Sequence, residues 1–252
     1  MATLAVPKSR FAYIVLGQVC LLVAWEAVAR SGIAGLTVPT LTSVANVYLQ
    51  PRFASLLYRS ACSTAGSAAL GLLFGAFLGA ATALVAHLIR ALQPGLDRLA
   101  VTVNAIPAIA LGPVFILLAG REVTPMLLST IGVFFLIYVA VSSGLRSASP
   151  PLANMMTTFG AGRWHRLRYL EIPAAIPFLL SGIKVSVTAA MIGAVVGEWF
   201  GAPTGLGIVI LNTMQNFQIP LLWAAVLLVA VIGLAGYGAA RIAEKLAGSR
   251  FH

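Results

Sequence analysis

The chain has 252 residues, 60% of them hydrophobic and only 9% charged, with a formal net charge of +10 and a mean hydropathy of +0.98. A soluble domain carries roughly 25% charged residues, so this composition excludes a water-soluble enzyme. One membrane crossing takes ~20 apolar residues, and the length therefore suits an all-α, polytopic membrane helical bundle of about six spans, one integral domain over 1–252.

In chain order, Lys8 and Arg10 lead into an apolar run at 11–28. Its end, Ala27-Val28-Ala29, has the look of a signal-peptide cleavage triad, but Trp25 and Glu26 sit where small residues are wanted, so an uncleaved first span is expected. The stretch 31–59 contains Pro39, and Thr42 is placed to cap a short amphipathic helix at an interface. A second run, 62–88, carries Gly71, Gly75 and Gly79 at four-residue spacing. The third, 99–119, contains Asn104 and two prolines, Pro107 and Pro113, each of which removes an intrahelical hydrogen bond and predicts a kink. A fourth run covers 125–141. The polar stretch 144–176 follows, then a fifth run at 177–200 with Gly193 and Gly197 and with Gly201 directly after it at the same spacing, and a sixth at 221–240. Backbone groups in lipid must bond internally, so every run is expected to be a helix.

Basic residues fall between these runs and not along one stripe, which fits topology signals and speaks against nucleic-acid binding. With the amino terminus inside, the cytoplasmic segments hold Lys8, Arg10, Arg90, Arg98, Arg146, Arg163, Arg166, Arg168, Arg241, Lys245 and Arg250. The outer side then holds Arg30, Arg52, Arg59 and Arg121. The positive-inside rule selects this orientation, with both termini cytoplasmic.

Within 144–176, the pair Pro150-Pro151 starts a segment that can form two helical turns over 152–159, and Gly160 can end them. Such a helix acts either as a lever for a soluble partner or as an interfacial anchor through Arg163, Trp164, Arg166 and Arg168. The two glycine triplets permit close helix approach, within the bundle or at a dimer seam. Lys184 and Glu198 are the charges set deepest in apolar runs, and intramembrane charge is a functional hypothesis by default. Glu198 suits a pathway or gate role or a position facing water; Lys184 suits a structural one. Cys20 and Cys62 read as small hydrophobes. His87, His165 and His252 lack metal-ligand spacing, and no nucleophile or paired-carboxylate pattern occurs.

The loop carries a resemblance. Gly160, with Leu170-Glu171-Ile172-Pro173 thirteen residues on at Pro173, resembles the "EAA" loop of binding-protein-dependent ABC importer permeases. Asn154-Met155-Met156 stands where that family has Glu-Ala-Ala, a departure that bears on the ion pair a glutamate would make with the ATPase. Asn104-Ala105-Ile106-Pro107 with Leu111-Gly112-Pro113, the segment Val38-Pro39-Thr40-Leu41-Thr42-Ser43-Val44, and Gly197-Glu198-Trp199 with Gly205-Leu206-Gly207 are similar to the nitrate/sulfonate/taurine branch, over 25–246.

The resemblance implies a translocating subunit that pairs with a second permease subunit, as a homodimer, above two cytoplasmic ABC ATPases. A periplasmic solute-binding protein would deliver a sulfonate, nitrate, taurine or vitamin-precursor solute, with a lean to the last. It implies an ATPase-coupling role for Asn154, Met156, Thr157, Phe159, Gly160, Ala161, Arg163 and Pro173, and a translocation path past Asn104, Pro107, Pro113 and Glu198. No Gly-x-x-x-x-Gly-Lys-[Ser/Thr] loop is present, so ATP and magnesium would belong to the partner and this chain would hold no cofactor. An ATP-independent channel or secondary carrier using Glu198, or a membrane scaffold without transport, are the alternatives of a different class.

Overall fold

The computed structural model describes residues 8–33, 35 and 37–248; Arg250 and His252 lie outside them, as do the side chains of Lys8 and Arg10. Among the described residues the chain is helical throughout. In order it forms α1 Lys8–Ser31, α2 Leu41–Leu49, α3 Pro51–Leu88, α4 Gln93–Ala105, α5 Ala108–Ala119, α6 Thr124–Arg146, α7 Pro150–Thr158 and α8 Arg163–Arg166. A π-helical turn, Leu167–Glu171, leads into α9 Ile172–Glu198, followed by α10 Leu206–Gln215 and α11 Ile219–Gly248.

Four of these stretches are long and apolar enough to cross a membrane: Pro51–Leu88, Thr124–Arg146, Arg163–Glu198 and Ile219–Leu246. The pair α4–α5, bent by 95°, adds a fifth where its two halves are taken together as one broken span. The first expected run falls in α1, 24 residues long, or ~36 Å at 1.5 Å per residue. The outer surface is apolar, with Phe77, Leu117, Leu118 and Leu234 all more than two-thirds exposed. Such a surface is tolerated in lipid and not in water.

Three expectations are corrected. The third run is broken, not merely kinked. Pro107 pushes Ile106 into an extended conformation (φ −76°, ψ 121°), as a residue before proline must go, and α5 restarts only at Ala108. Pro113 stays inside α5. Asp97 near the start of the pair bonds Tyr138 on α6, and Arg121, just past the end of α5, lies beside Gly201. Secondly, the fifth span begins at Arg163 and not at 177: Pro177 sits within α9, and a π-helical turn bridges the short α8 to it. Thirdly, Thr40 and not Thr42 caps α2. Its side chain accepts from the Ser43 N–H at 3.3 Å, and the Leu41 N–H donates to Glu26 Oε2 at 2.8 Å, so a carboxylate from α1 sets where α2 starts.

Helix α6 is the centre of the bundle, packed chiefly against α9 and α3. Leu128, Val133 and Ile137 on it are completely buried. A second cluster joins α2, α10 and α11 through Val44, Leu206, Leu221 and Ala224. Indole N–H groups tie the entry segment down: Trp25 donates to Pro39 O and Trp223 to Thr37 O, both at 2.9 Å, and the two rings meet edge to face at 4.5 Å. Tyr48 donates to Ala224 O at 2.6 Å, and partial burial pushes its phenol above the ordinary value.

Candidate functional site

Five of the six glycines in the two triplets serve one purpose in the fold, since Gly71, Gly75 and Gly79 on α3 and Gly193 and Gly197 on α9 all face α6, whereas Gly201 lies beyond α9 and does not. A Cβ on Gly71 would come within 2.1 Å of Ser129 Cβ, and on Gly75 or Gly79 within 2.6 Å of a backbone oxygen, of Thr130 or Phe134 respectively. From the other side, a Cβ on Gly193 would meet Ser129 N at 2.6 Å and on Gly197 would meet Pro125 Cα at 2.5 Å. Small residues let the backbones close to this distance. Ser129 sits where the two stripes converge and donates to Ala190 O at 2.7 Å. Gly201 lies past the end of α9 in a positive-φ turn (85°).

Glu198 is fully buried. Its Oε2 accepts the Gly207 N–H at 2.6 Å, while the Leu206 N–H donates to Thr64 Oγ1 at 2.8 Å. The first two free N–H groups of α10 are thus held by side chains from α9 and α3, a capping arrangement that also suits the positive end of the helix dipole. Gly205 (φ 141°) makes room, because a Cβ there would fall 2.2 Å from Glu198 Cδ. Among the described residues, Glu198 Oε1 has no hydrogen-bond partner. Asn104, Pro107 and Pro113, by contrast, are exposed on α4–α5, linked to this region through Gly112, whose Cα hydrogen faces the Phe200 ring.

At the opposite end of the bundle, α7 stands apart. None of its residues is buried, and Leu152, Met155 and Phe159 expose an apolar face, Phe159 by 82%. Asn154 and Thr157 are exposed as well, and Met156 is half-buried. The helix closes in a Schellman motif: Gly160 (φ 78°) donates to Thr157 O at 3.0 Å and Ala161 to Met156 O at 2.9 Å. Arg163 then reaches the end of α3, bonding the carbonyls of Leu88 and His87. Pro173 lies in the first turn of α9.

Behind α7 is a polar cleft of about 240 Å³. Glu171 is its centre: Oε2 contacts His87 Nε2 at 2.7 Å and Oε1 accepts from Arg166 Nε at 2.9 Å. Tyr138 donates to Asp97 across the same cleft. Arg90, Arg146 and Arg163 also line it. Four arginines assigned to one side on charge grounds therefore share one site. Lys184, expected to be structural, bonds Glu244 on α11 at 2.6 Å, with Ser181 donating to the other carboxylate oxygen at 2.5 Å.

Sequence reasoning missed the roles of Glu171, Asp97 and Glu244. A usable signal was scarcity. The chain has six acidic residues, and in so apolar a setting each needs a partner; five of them, Glu26, Asp97, Glu171, Glu198 and Glu244, have one. Among the described residues no cluster of His, Cys, Asp and Glu could hold a metal, and Cys20 and Cys62 are free.

Comparison with known proteins adds four findings. The family described as "Binding-protein-dependent transport system inner membrane component" is matched over residues 71–247. The riboflavin transport system permease protein RibX of Chloroflexus aurantiacus is 34% identical over 228 residues, 90% of this chain and 85% of that one. A putative aliphatic sulfonates transport permease protein, SsuC of Bacillus subtilis, is 29% identical over 88% of this chain and 81% of its own. In fold, a chain of the inward-facing MetNI methionine ABC transporter superposes with a TM-score of 0.62 at 20% identity, covering 77% of this chain and 98% of that chain.

Proposed function

The chain belongs to the family of binding-protein-dependent transport system inner membrane components, and from that premise we propose how it works and with what. It is a permease subunit of an ABC importer, a translocating and not a catalytic component. It operates in a pore made with a second permease subunit, a second copy of itself, and it alternates between inward and outward access. Two ABC ATPase subunits bind ATP and magnesium and act on it from the cytoplasmic side, where both of its termini lie; a periplasmic binding protein delivers the solute. The solute is a small organic molecule of the vitamin-precursor or sulfonate type, a reading supported by the riboflavin and sulfonate relatives.

The observation that carries this reading is α7: a short, capped helix with no buried side chain and an exposed Phe159, at the end of the molecule where Arg90, Arg146, Arg163 and Arg166 gather. An unpartnered apolar helix joined directly to two long membrane helices is suited to receive force from a soluble subunit. Phe159 offers the anchor, and Asn154, Met156, Thr157, Ala161 and Arg163 its surroundings. Asn104, Pro107 and Pro113 line the solute path on the broken pair α4–α5. Glu198 contributes from behind by fixing α10.

The test is co-purification of an ATPase with the full chain, then solute uptake into vesicles. Uptake that needs ATP and is lost with Phe159→Asp supports the reading. Uptake driven by a proton gradient without ATP, or unchanged in Phe159→Asp, would sink it in favour of a carrier or channel. A panel of solutes against the binding protein then identifies the cargo.

A further inference from the structure

The polar cleft behind α7 holds more positive charge than it neutralises. Four guanidinium groups line it, from Arg90, Arg146, Arg163 and Arg166, against two carboxylates, Asp97 and Glu171. Both carboxylates are already engaged: Glu171 by Arg166 and His87, Asp97 by the Tyr138 hydroxyl. Arg146 and Arg163 are each steadied by bonds to backbone carbonyls, Arg146 Nε to Ser142 O at 3.1 Å and Arg163 Nη2 to His87 O at 3.2 Å. Neither forms an ion pair among the described residues, and neither does the exposed Arg90. Three cations thus converge on one concave space with guanidinium donors left over, and bringing like charges together without a counter-ion is unfavourable.

We propose that this cleft is a binding site for a phosphate-class anion, held by Arg90, Arg146 and Arg163. The chemistry fits in kind: guanidinium groups present several N–H donors in a plane that matches phosphate oxygens. The size fits too, since about 240 Å³ is below the roughly 300–1,000 Å³ of pockets for drug-sized ligands. Position gives the site its consequence. Arg90 follows α3, Arg146 ends α6 and Arg163 starts the helix that returns from α7. An anion bridging them ties the segment after α7 to the ends of α3 and α6 and stiffens the connection between that short helix and the bundle. The same phosphate oxygens are available from an anionic lipid headgroup or from free phosphate.

Full-length protein in nanodiscs of mixed phosphatidylglycerol and phosphatidylcholine, read by native mass spectrometry, tests the lipid source. Detergent-purified protein, titrated with sodium phosphate against sodium chloride at equal ionic strength and read by thermal unfolding, tests the free anion. Arg90→Gln and Arg146→Gln are expected to weaken binding by about tenfold each, in line with the loss of a hydrogen bond to a charged group. Arg90→Lys retains part of it. Arg98→Gln, an exposed cation on α4 outside the cleft, leaves it unchanged. Retention of phosphatidylglycerol that drops in the cleft variants identifies the headgroup; a phosphate-dependent rise in unfolding temperature that disappears in them identifies the free anion. Equal loss in Arg98→Gln, or no difference between the wild type and Arg90→Gln in both assays, overturns the proposal.

Discussion

At the scale of single residues, contact and not composition decides what a position tolerates. Gly66 and Gly75 lie on the same helix, yet a Cβ at Gly66 meets nothing within 4 Å while one at Gly75 falls 2.6 Å from both Thr130 O and Val133 Cβ. Gly75→Val is expected to destabilise the bundle by about 1–3 kcal/mol through overpacking. Gly66→Ala should be neutral or stabilising by roughly 0.5–1 kcal/mol, because alanine loses less entropy in a helix. Unfolding midpoints of the two variants in the same detergent check both. Glu198 yields a sharper separation of roles. Glu198→Gln keeps an acceptor for the Gly207 N–H and should stay near wild-type stability, whereas Glu198→Ala strands that buried donor at a cost of about 1–3 kcal/mol. Should Glu198→Ala unfold at the wild-type temperature, its capping of α10 is not what holds that helix in place.

At the scale of elements, the two segments of greatest interest are the ones whose ends are set by special backbone. Helix α7 stops where Gly160 takes φ 78°, a conformation that costs an ordinary L-residue about 1–2 kcal/mol. Nothing lies within 4 Å of a Cβ there, so Gly160→Val frays the helix end without disturbing the core. The expected result is normal yield and unfolding temperature, with ATPase co-purification sharply reduced. A variant that retains the ATPase fully would separate α7 from coupling. The α4–α5 pair is broken at Ile106-Pro107. Pro107→Ala removes the restriction on Ile106 and restores a donor, and the angle between the halves should open from 95°. Spin-label distances between positions 97 and 117 would report it as a lengthening; an unchanged distance would mean that packing of Gly112 on Phe200, and not the proline, holds the bend.

At the scale of the whole molecule, an apolar exterior and one strongly basic end predict sidedness. Single cysteines introduced at Thr157 and at Asn216, both exposed, should react with an impermeant thiol reagent in opposite vesicle preparations: 157 in inside-out, 216 in right-side-out, after Cys20 and Cys62 are replaced by serine. Labelling of both in one preparation would overturn the proposed orientation with cytoplasmic termini. The membrane class, the helical content, the gathering of arginines at one end and the Gly160 stop were legible in the sequence, because hydropathy, charge placement and glycine conformation are local properties with local causes. Membership of the importer-permease family was legible for a related reason: its loop motif is spelled by contiguous spacing from Gly160 to Pro173. Which partner each polar group takes was not. Thr40 displaced Thr42 as the α2 cap because Glu26 arrives from fifteen residues away; Glu198 turned inward to α10 because Gly205 leaves space; Lys184 found Glu244 sixty residues on. The glycine triplets were ambiguous between bundle and seam until α6 was seen to lie between them. Sequence by itself determined that these stripes allow backbones to come close, since glycine carries no Cβ to hold a neighbour off, and only the tertiary structure decided where and to what, since desolvated polar and small residues are satisfied by whichever neighbour the packing brings.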